Sequence, residues 1–300
     1  MIETSEPVER TTAEIVDFAQ IQCRICGADG RTKLVVSNGR QELRKCVECG
    51  GAFLEPPTAH ATMRSYFADE YINGDERLRP FSGKRHNERL ALCARAIRRE
   101  KAGGKILDVG CAGGQFLSRF FSDPNWKRFA VEPSRFAAEK AAQQGIEVFR
   151  GELSSVDLPT QYFDVVTVLD VLNFFQEPKQ GLQTLRRSLK PGGLLVAEIP
   201  LAGVQLFGHT TRIGRFLARP GYSLACGYIL FYFSRRSLSL LLRESGFRDA
   251  QFYCLPGSSQ PRPLQDLLYR AYYRLSQFLW HATGGKVVAG PSCLAVARPL

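Results

Sequence analysis

Four cysteines near the N-terminus stand in two pairs that can bind one metal ion. Cys23 and Cys26 form one Cys-x-x-Cys pair, and Cys46 and Cys49 form a second after nineteen intervening residues. Four thiolates at this spacing can hold Zn²⁺ in a tetrahedral site, and such a closed site leaves no position open for a substrate. The spacing therefore predicts a structural zinc ribbon at 21–56. Two disulfides are the alternative, and they would need an oxidising compartment.

An apolar run that leads into a glycine-rich turn can bring a nucleotide-like ligand against the backbone. Residues 106–109 are mostly apolar, and the turn after them holds Gly110, Gly113 and Gly114. These glycines remove side chains that would block close approach, and a helix after the turn offers free N–H groups. Glu132 ends the next apolar run, where a doubly wound fold accepts hydrogen bonds from ribose hydroxyls.

These residues need a sheet whose strands alternate with helices. Further apolar runs predict strands at 145–153, 163–172 and 189–200, and a final antiparallel pair at 250–255 and 292–298. Helical stretches of about ten to fifteen residues separate the earlier strands, which favours a parallel sheet with helices on both faces. The sequence therefore predicts an α/β fold with a doubly wound, seven-stranded sheet.

Four motifs from Gly104 onward resemble those of class I S-adenosylmethionine-dependent methyltransferases, most closely the bacterial small-molecule type. They read, in order, DVGCAGGQFL at 108–117, AVEPS at 130–134, FDVVTVLDVLNFF at 163–175 and LKPGGLLVAEIP at 189–200. The resemblance implies a Rossmann-like methyltransferase fold with S-adenosyl-L-methionine as cofactor. An NAD-binding Rossmann unit is the alternative, but it would show a GxGxxG turn and a hydride-transfer domain.

The resemblance also implies roles for single residues, each of which has a purely structural alternative. The turn around Gly110 would hold the methionine part of the cofactor, Glu132 the ribose, and Glu152 with Leu153 the adenine. Asp170 would line the donor methyl group and the substrate. The implied cofactor-binding residues are Asp108, Gly110, Cys111, Ala112, Gly114, Glu132, Pro133, Glu152, Leu153, Asp170 and Val171.

Two departures from the family pattern bear on this site. Ala112 replaces the middle glycine of the turn, a small change that still permits close approach. After Leu172 the family usually has Glu-His, and that histidine often takes the proton of the acceptor, whereas Asn173 and Phe174 stand here. Neither is a base at neutral pH. His209, which follows the fifth strand on the acceptor side, is then the candidate catalytic base.

The motifs divide the chain into a small metal-binding module and one α/β domain. The expected parts are an N-terminal tail at 1–20, the zinc ribbon at 21–56, a helical linker that covers the cofactor site at 57–103 and the methyltransferase domain at 104–300. Two insertions, 201–230 and 256–290, would form the substrate side or a lid. Apolar residues at helical spacing in the second insertion predict a helix before the last strand, either packed on the body or facing a hydrophobic acceptor or a membrane.

The number and distribution of charged residues indicate which kinds of partner the protein can bind. A total of 40 Lys and Arg against 29 Asp and Glu gives a net charge of +11, but the basic residues are spread out and no RNA-binding signature is present. The sequence therefore argues against nucleic acid and leaves open a peripheral association with an anionic membrane or a lipid-linked acceptor. A polar, acidic N-terminus and interrupted apolar runs predict a cytoplasmic protein, at most peripheral to the inner face of the membrane. The oligomeric state is left open.

Methyl transfer to a small-molecule acceptor is the predicted function. The resemblance implies a sugar or a lipid-linked intermediate of envelope or natural-product biosynthesis. An RNA methyltransferase is one alternative, because a zinc ribbon is joined to this domain in some RNA-modifying enzymes. A scaffold protein that binds S-adenosylmethionine with weak catalysis is the other, because Asn173 and Phe174 replace the usual base.

Overall fold

The computed structural model describes residues 18–37, 39–65, 84–203, 206, 229–256 and 263–300. The candidate base His209 and most of the predicted insertion at 201–230 lie outside these residues, so both stay predictions. The predicted tail overlaps the described part only at 18–20, and these residues belong to the first strand.

Strands and helices alternate through the described part as the sequence predicts. The strands are β1 (Phe18–Gln22), β2 (Asp29–Ser37), β3 (Glu42–Cys46), β4 (Ala52–Glu55), β5 (Gly104–Val109), β6 (Trp126–Glu132), β7 (Glu147–Arg150), β8 (Phe163–Leu169), β9 (Leu189–Pro200), β10 (Phe231–Tyr232), β11 (Phe247–Leu255) and β12 (Ser292–Pro299). The helices are α1 (His60–Ser65), α2 (Lys84–Glu100), α3 (Gln115–Phe120), α4 (Arg135–Ala142), α5 (Pro178–Ser188), α6 (Arg235–Glu244) and α7 (Pro263–Ala282). None of the helices within the described ranges has the length and apolar character to cross a membrane.

A seven-stranded sheet forms the centre of the described structure, which confirms the predicted fold class. Its strand order is β11-β12-β9-β8-β5-β6-β7. The strands from β9 to β7 pair in parallel, whereas β12 runs antiparallel to both β9 and β11. The strand order reverses between β5 and β8, and the carboxyl ends of strands at such a point leave a crevice for a ligand.

Neighbouring residues of the central strands fill two cores, one on each face of the sheet. On β5, Ile106 packs in the core that α2 and α3 help to form, and Leu107 belongs to the core on the other face. Val165 and Val166 divide in the same way on β8. Helices therefore cover both faces of the sheet, as the doubly wound prediction requires.

The N-terminal ribbon is part of a second sheet, with the order β1-β2-β3-β4-β10. Its last strand comes from the region after β9, where Phe231 pairs with Phe53 and Tyr232 with Ala52 in antiparallel register. Both phenylalanines are fully buried. The sequence did not predict this pairing, because a strand of two residues carries no readable alternation.

Both helices predicted around the last strands are present. The motif at 231–247 forms α6, which begins with a capping box in which Ser234 and Ser237 exchange side-chain and backbone hydrogen bonds. The insertion at 256–290 contains α7, which precedes β12. The helical insertion before the last strand is therefore confirmed as a feature of the fold.

Candidate functional site

The glycine-rich turn between β5 and α3 is held in a left-handed backbone conformation. Gly110, Ala112 and Gly114 have φ angles of 74°, 49° and 78°. A Cβ at Gly110 would lie 2.6 Å from Cγ2 of Val171, and one at Gly114 would lie 2.5 Å from Cδ1 of Ile146. Ala112 adopts the same region with a side chain, which costs roughly 1–2 kcal/mol. The turn therefore needs glycine at 110 and 114 and carries strain at 112.

Glu132, at the carboxyl end of β6, ties this turn to the second strand. Its Oε2 accepts the N–H of Ala112 at 2.9 Å, and its Oε1 accepts the N–H of Ser134 at 3.0 Å. Burial raises the pKa of the Glu132 carboxyl to about 7, against the two N–H groups that lower it. A carboxylate has about four acceptor positions, so each oxygen can accept one further hydrogen from a ligand.

Asp108 brings a second buried carboxyl to the same edge of the sheet. Its Oδ1 accepts the hydroxyl hydrogen of Thr167 at 2.6 Å. Burial raises the pKa of Asp108 to about 7, and the hydrogen bond from Thr167 lowers it. A cationic ligand group next to this carboxyl would favour its ionised form.

Asp170 and Glu198 place two carboxylates side by side at the ends of β8 and β9. Asp170 has a φ of 59°, and its backbone N–H donates to the carbonyl of Glu198 at 2.8 Å. Nη2 of Arg89, on α2, lies 2.7 Å from Oε2 of Glu198 and 3.6 Å from Oδ2 of Asp170. Desolvation and the Glu198 carboxylate raise the pKa of Asp170, while Arg89 lowers it. The Asp170 side chain is nevertheless 42% exposed, so it remains open to a ligand.

Three residues beside this site were not predicted as functional: His86, Arg89 and Glu198. Arg89 and Glu198 are buried as an ion pair whose members are 109 positions apart. Burial and the nearby Arg89 lower the pKa of His86 to about 4, so its imidazole is neutral at pH 7. Glu198 could have been noticed in the sequence, because it is an acidic residue inside the apolar run of β9. Nothing in the sequence indicated that Arg89 would pair with it.

A cavity of about 860 Å³ brings most of the predicted cofactor residues together, and its size falls in the range of roughly 300–1,000 Å³ found for small-molecule sites. Its wall includes Asp108, Gly110, Cys111, Ala112, Glu132, Pro133, Glu152, Leu153, Asp170 and Val171. Gly114 is not in the wall and instead lies against Ala141 and Ile146 of the next βα unit. Met63 and His86 add side chains from the predicted covering segment at 57–103.

The four cysteines of the ribbon converge. The Sγ atoms of Cys23, Cys26, Cys46 and Cys49 all lie within 4.8 Å of one another, and Cys23 and Cys49 are 3.8 Å apart. Zn–S bonds of about 2.3 Å in a tetrahedron give Sγ–Sγ distances of about 3.8 Å, so the arrangement fits this ion. The contact between Cys23 and Cys49 lowers the pKa of the Cys23 thiol and raises that of the Cys49 thiol, and burial raises the pKa of Cys26, so a metal ion would have to displace protons from this cluster.

The cysteine cluster contacts the loop after β8 and the start of α6. Nη2 of Arg24 donates to the carbonyl of Gln176 at 3.1 Å, and its guanidinium lies 5.1 Å from the ring centre of Phe231. Oγ of Ser234, the N-cap of α6, donates to the carbonyl of Cys49 at 2.7 Å. Gln176 belongs to the cavity wall, so the ribbon supports one side of the cavity.

A family profile described as a methyltransferase domain matches residues 81–251, more than half of the chain. The chain belongs to this methyltransferase-domain family. The matched range contains the glycine-rich turn, Glu132 and Asp170, whereas the four cysteines lie before it. The ribbon is therefore an addition to the domain that the family defines.

Curated relatives match this methyltransferase-domain protein over part of its length. The mitochondrial ubiquinone biosynthesis O-methyltransferase of Schizosaccharomyces pombe is 36% identical over 104 residues, which cover 32% of this chain and 37% of the relative. The tRNA U34 carboxymethyltransferase of Saccharophagus degradans is 26% identical over 156 residues, which cover 49% of this chain and 46% of the relative. The chain thus spans less than half the length of these relatives.

Solved structures share the fold of this methyltransferase-domain protein. The N-methyltransferase NodS from Bradyrhizobium japonicum, in complex with S-adenosyl-L-homocysteine, superposes with a TM-score of 0.51 and 16% identity, over 80% of this chain and 97% of NodS. At this identity the likeness shows the fold alone. The predicted Rossmann-like methyltransferase fold is confirmed.

Proposed function

We propose that the chain transfers a methyl group from S-adenosylmethionine to a small-molecule acceptor. The observation that carries the proposal is the carboxyl of Glu132, which holds the glycine-rich turn through Ala112 and borders the cavity with acceptor positions to spare. A ribose presents two adjacent hydroxyl donors, which a carboxylate at the end of the second strand can accept. Membership of the methyltransferase-domain family supports the same cofactor.

The residues of the cavity fit S-adenosylmethionine along its length. When bound, S-adenosylmethionine supplies an electrophilic methyl group on a positively charged sulfur. Gly110 lets the backbone approach the amino-acid part of the cofactor, and Asp108 offers a carboxyl that a nearby cation would ionise. Glu152 and Leu153 border the part of the cavity proposed for adenine.

Asp170 is the residue proposed to take the proton of the acceptor. It stands at the end of β8, where the resemblance predicts the donor methyl group and the substrate, and its side chain is 42% exposed. Its raised pKa makes it a better base than an ordinary aspartate. Arg89 and Glu198 hold it in place, so the role left vacant at Phe174, where the family usually has histidine, passes to a residue four positions earlier. His209 stays the alternative base.

Apolar side chains from α2 and α3 would keep water from the reacting groups. Leu90 and Phe116 line the cavity together with Val171. Water exclusion strengthens the electrostatic contacts of the buried carboxyls, and contacts with the cavity wall would hold the acceptor in line with the donor. The chain's contribution to the rate is then alignment, desolvation and removal of one proton.

A hydroxyl-bearing sugar or lipid-linked intermediate is the proposed acceptor class. The O-methyltransferase relatives support an oxygen nucleophile, and the cavity has the size of a small-molecule site. A lipid-linked acceptor would require the protein to work at the inner face of the membrane. RNA remains the competing acceptor, because one of the relatives is a tRNA U34 carboxymethyltransferase.

We also propose that Cys23, Cys26, Cys46 and Cys49 bind one structural Zn²⁺. Four thiolates close the coordination shell, so the ion would take no part in methyl transfer. Its contribution would be to fold the ribbon, whose Ile25 and Leu54 pack in a core shared with the α/β domain, and thereby to support the loop at Gln176.

A label-transfer assay tests the acceptor class. Protein is incubated with S-adenosylmethionine carrying a labelled methyl group and, in separate reactions, with nucleotide sugars, polyprenyl-linked phenols or total RNA. Label in a small-molecule pool, lost in Asp170→Asn, supports the proposal. Label only in RNA would transfer the assignment to RNA modification, and binding without label transfer to any pool would indicate the scaffold alternative.

A further inference from the structure

The outward face of α7 is an apolar stripe. Its exposed apolar residues are Leu267, Leu268, Ala271, Leu275, Phe278 and Ala282. Leu267, Leu275 and Phe278 are 63%, 55% and 67% exposed. At 3.6 residues per turn, these six positions fall within an arc of roughly 100°. The surface of a folded chain rarely leaves so many large apolar groups together without a partner.

The opposite face of α7 is fixed to the body of the protein. Nε1 of Trp280 donates to the carbonyl of Phe252 at 2.8 Å, and its ring lies 5.7 Å from the ring of Tyr253. Oγ of Ser276, which is buried, donates to the carbonyl of Ala289 at 3.2 Å. These contacts set the rotation of the helix about its axis, so the apolar stripe points away from the sheet.

Basic side chains follow one edge of the stripe. Arg270 and Arg274 are exposed and lie within an adjoining arc of roughly 40°. Exposed Lys286 follows the helix, and Arg235 donates to the backbone carbonyl of Lys286. The apolar stripe is therefore bordered by positive charge over one turn of its N-terminal half and, at Lys286, beyond its C-terminal end.

We infer that α7 docks the protein on the surface of an anionic lipid bilayer. A helix with Leu and Phe on one face and Arg beside them has the form of a helix that lies in the membrane interface. Anionic headgroups would neutralise the arginine edge, and the chain as a whole carries a net charge of +11. A second copy of the chain would instead bring a second positive edge into the same contact. The inference does not depend on the proposed transfer reaction.

Vesicle flotation tests this docking. The full chain is mixed with vesicles of equal parts phosphatidylglycerol and phosphatidylcholine, or of phosphatidylcholine alone, across a salt series. We expect binding to the anionic vesicles that weakens with salt. The double variant L275S/F278S should bind at least tenfold more weakly, and R270A/R274A should lose about fivefold per arginine, with a shallower salt dependence than the wild type. Phe136→Ser, which removes a 38% exposed aromatic from another helix, should bind like the wild type.

Three results would overturn the inference. They are failure of the wild type to bind anionic vesicles, equal binding by L275S/F278S, and a concentration-dependent dimer that this double variant abolishes, which would assign the stripe to a second copy. Circular dichroism and thermal unfolding check that each variant is folded. If the double variant does not fold, the inference is tested by two other measurements. These are the vesicle binding of Phe278→Ser alone, which should be weaker than that of the wild type, and the salt dependence of wild-type binding.

Discussion

Arg24, in the first cysteine pair of the ribbon, donates a 3.1 Å hydrogen bond to the carbonyl of Gln176, in the wall of the cavity. These residues are 152 positions apart in the chain. The loop that contains Gln176 also contacts the ribbon sheet through Asn173. The N–H of Leu230, next to β10, donates to the carbonyl of Asn173 at 3.0 Å. The ribbon therefore holds part of the cavity wall in place, although the four cysteines lie outside the range of the family match.

Removal of zinc should weaken cofactor binding as well as the ribbon. Without the ion the ribbon loses the bonds that fold it, and Arg24 no longer holds the loop at Gln176. We expect chelation to lower the affinity for S-adenosylmethionine by about tenfold, or about 1.4 kcal/mol, in a calorimetric titration. The far-ultraviolet spectrum of the central sheet should persist.

Cys254→Ala is the matched control for zinc removal, because Cys254 lies in β11, away from the cluster. It should keep one zinc per chain and wild-type affinity. Full cofactor affinity in the metal-free, folded protein would contradict the coupling between ribbon and cavity.

Asp170→Asn should reduce turnover without reducing cofactor affinity. Loss of a general base lowers the rate of proton removal by about 10²–10⁴-fold, while asparagine retains the left-handed backbone and the backbone bond to Glu198. In the wild type, kcat should rise with pH as Asp170 ionises, and this rise should vanish in the variant.

Asp249→Asn controls for the backbone conformation, because Asp249 also has a positive φ, of 53°, but lies exposed on β11. It should leave kcat unchanged. A turnover in Asp170→Asn within about twofold of the wild type would return the role of base to His209 or to water.

Cofactor affinity should rise with pH up to the range where Glu132 ionises. Burial holds the pKa of Glu132 at about 7, and hydroxyl donors favour the charged carboxylate, so binding should release a proton below this pH. We expect Glu132 to contribute a gain of up to tenfold per pH unit between about pH 5 and 7, followed by a plateau, and Glu132→Gln should lose this contribution and keep the one from Asp108. Titrations in two buffers of different ionisation enthalpy measure the released proton, and none released at pH 6 would contradict the role.

The same raised pKa has the opposite effect on the stability of the ligand-free protein. Between the ordinary glutamate value of 4.5 and about 7, the folded state holds a proton at Glu132 that the unfolded chain has lost. The unfolding free energy should therefore fall as pH rises through this window, and Asp108 adds to the fall in the same direction. Thermal unfolding of Glu132→Gln should show a shallower decline.

Gly110→Ala should be more destabilising than the same change at another left-handed glycine. A methyl group at Gly110 would lie 2.6 Å from Val171, whereas at Gly192, with a similar φ of 71°, it would meet nothing within 4 Å. Both variants carry a backbone strain of about 1 kcal/mol, and overpacking at Gly110 adds about 1–3 kcal/mol. Denaturant unfolding measures the difference, and equal losses would show that the turn can move away from Val171.

The parts of the site that the sequence predicted are those with a local signature. Glu132 stands at a fixed place after an apolar strand, and Cys23 and Cys46 each begin a Cys-x-x-Cys pair, so short stretches identify them. The pair of Arg89 and Glu198 has no such signature, because it joins a helix to a strand 109 positions away. Its existence depends on how α2 packs on β9, which no local pattern records.

On the acceptor side of the cavity, too, the sequence predicted some features and not others. The sequence indicated that the usual base was missing at Phe174, but not that Asp170 had two charged neighbours that raise and lower its pKa. The exposure of the apolar face of α7 was likewise unreadable, since helical spacing predicts a stripe but does not say whether the stripe faces the core or the solvent.

The role of Glu132 in binding S-adenosylmethionine can be tested directly by calorimetry. The zinc-loaded wild type and the variants Glu132→Gln and Glu147→Gln are each titrated with S-adenosylmethionine and with S-adenosylhomocysteine. Glu147 is exposed on β7 and is not part of the cavity wall, so its variant makes the same chemical change away from the site. We predict micromolar binding that Glu132→Gln weakens by about tenfold or more and that Glu147→Gln leaves unchanged. No binding by the folded wild type, or equal affinity in all three proteins, would contradict this role.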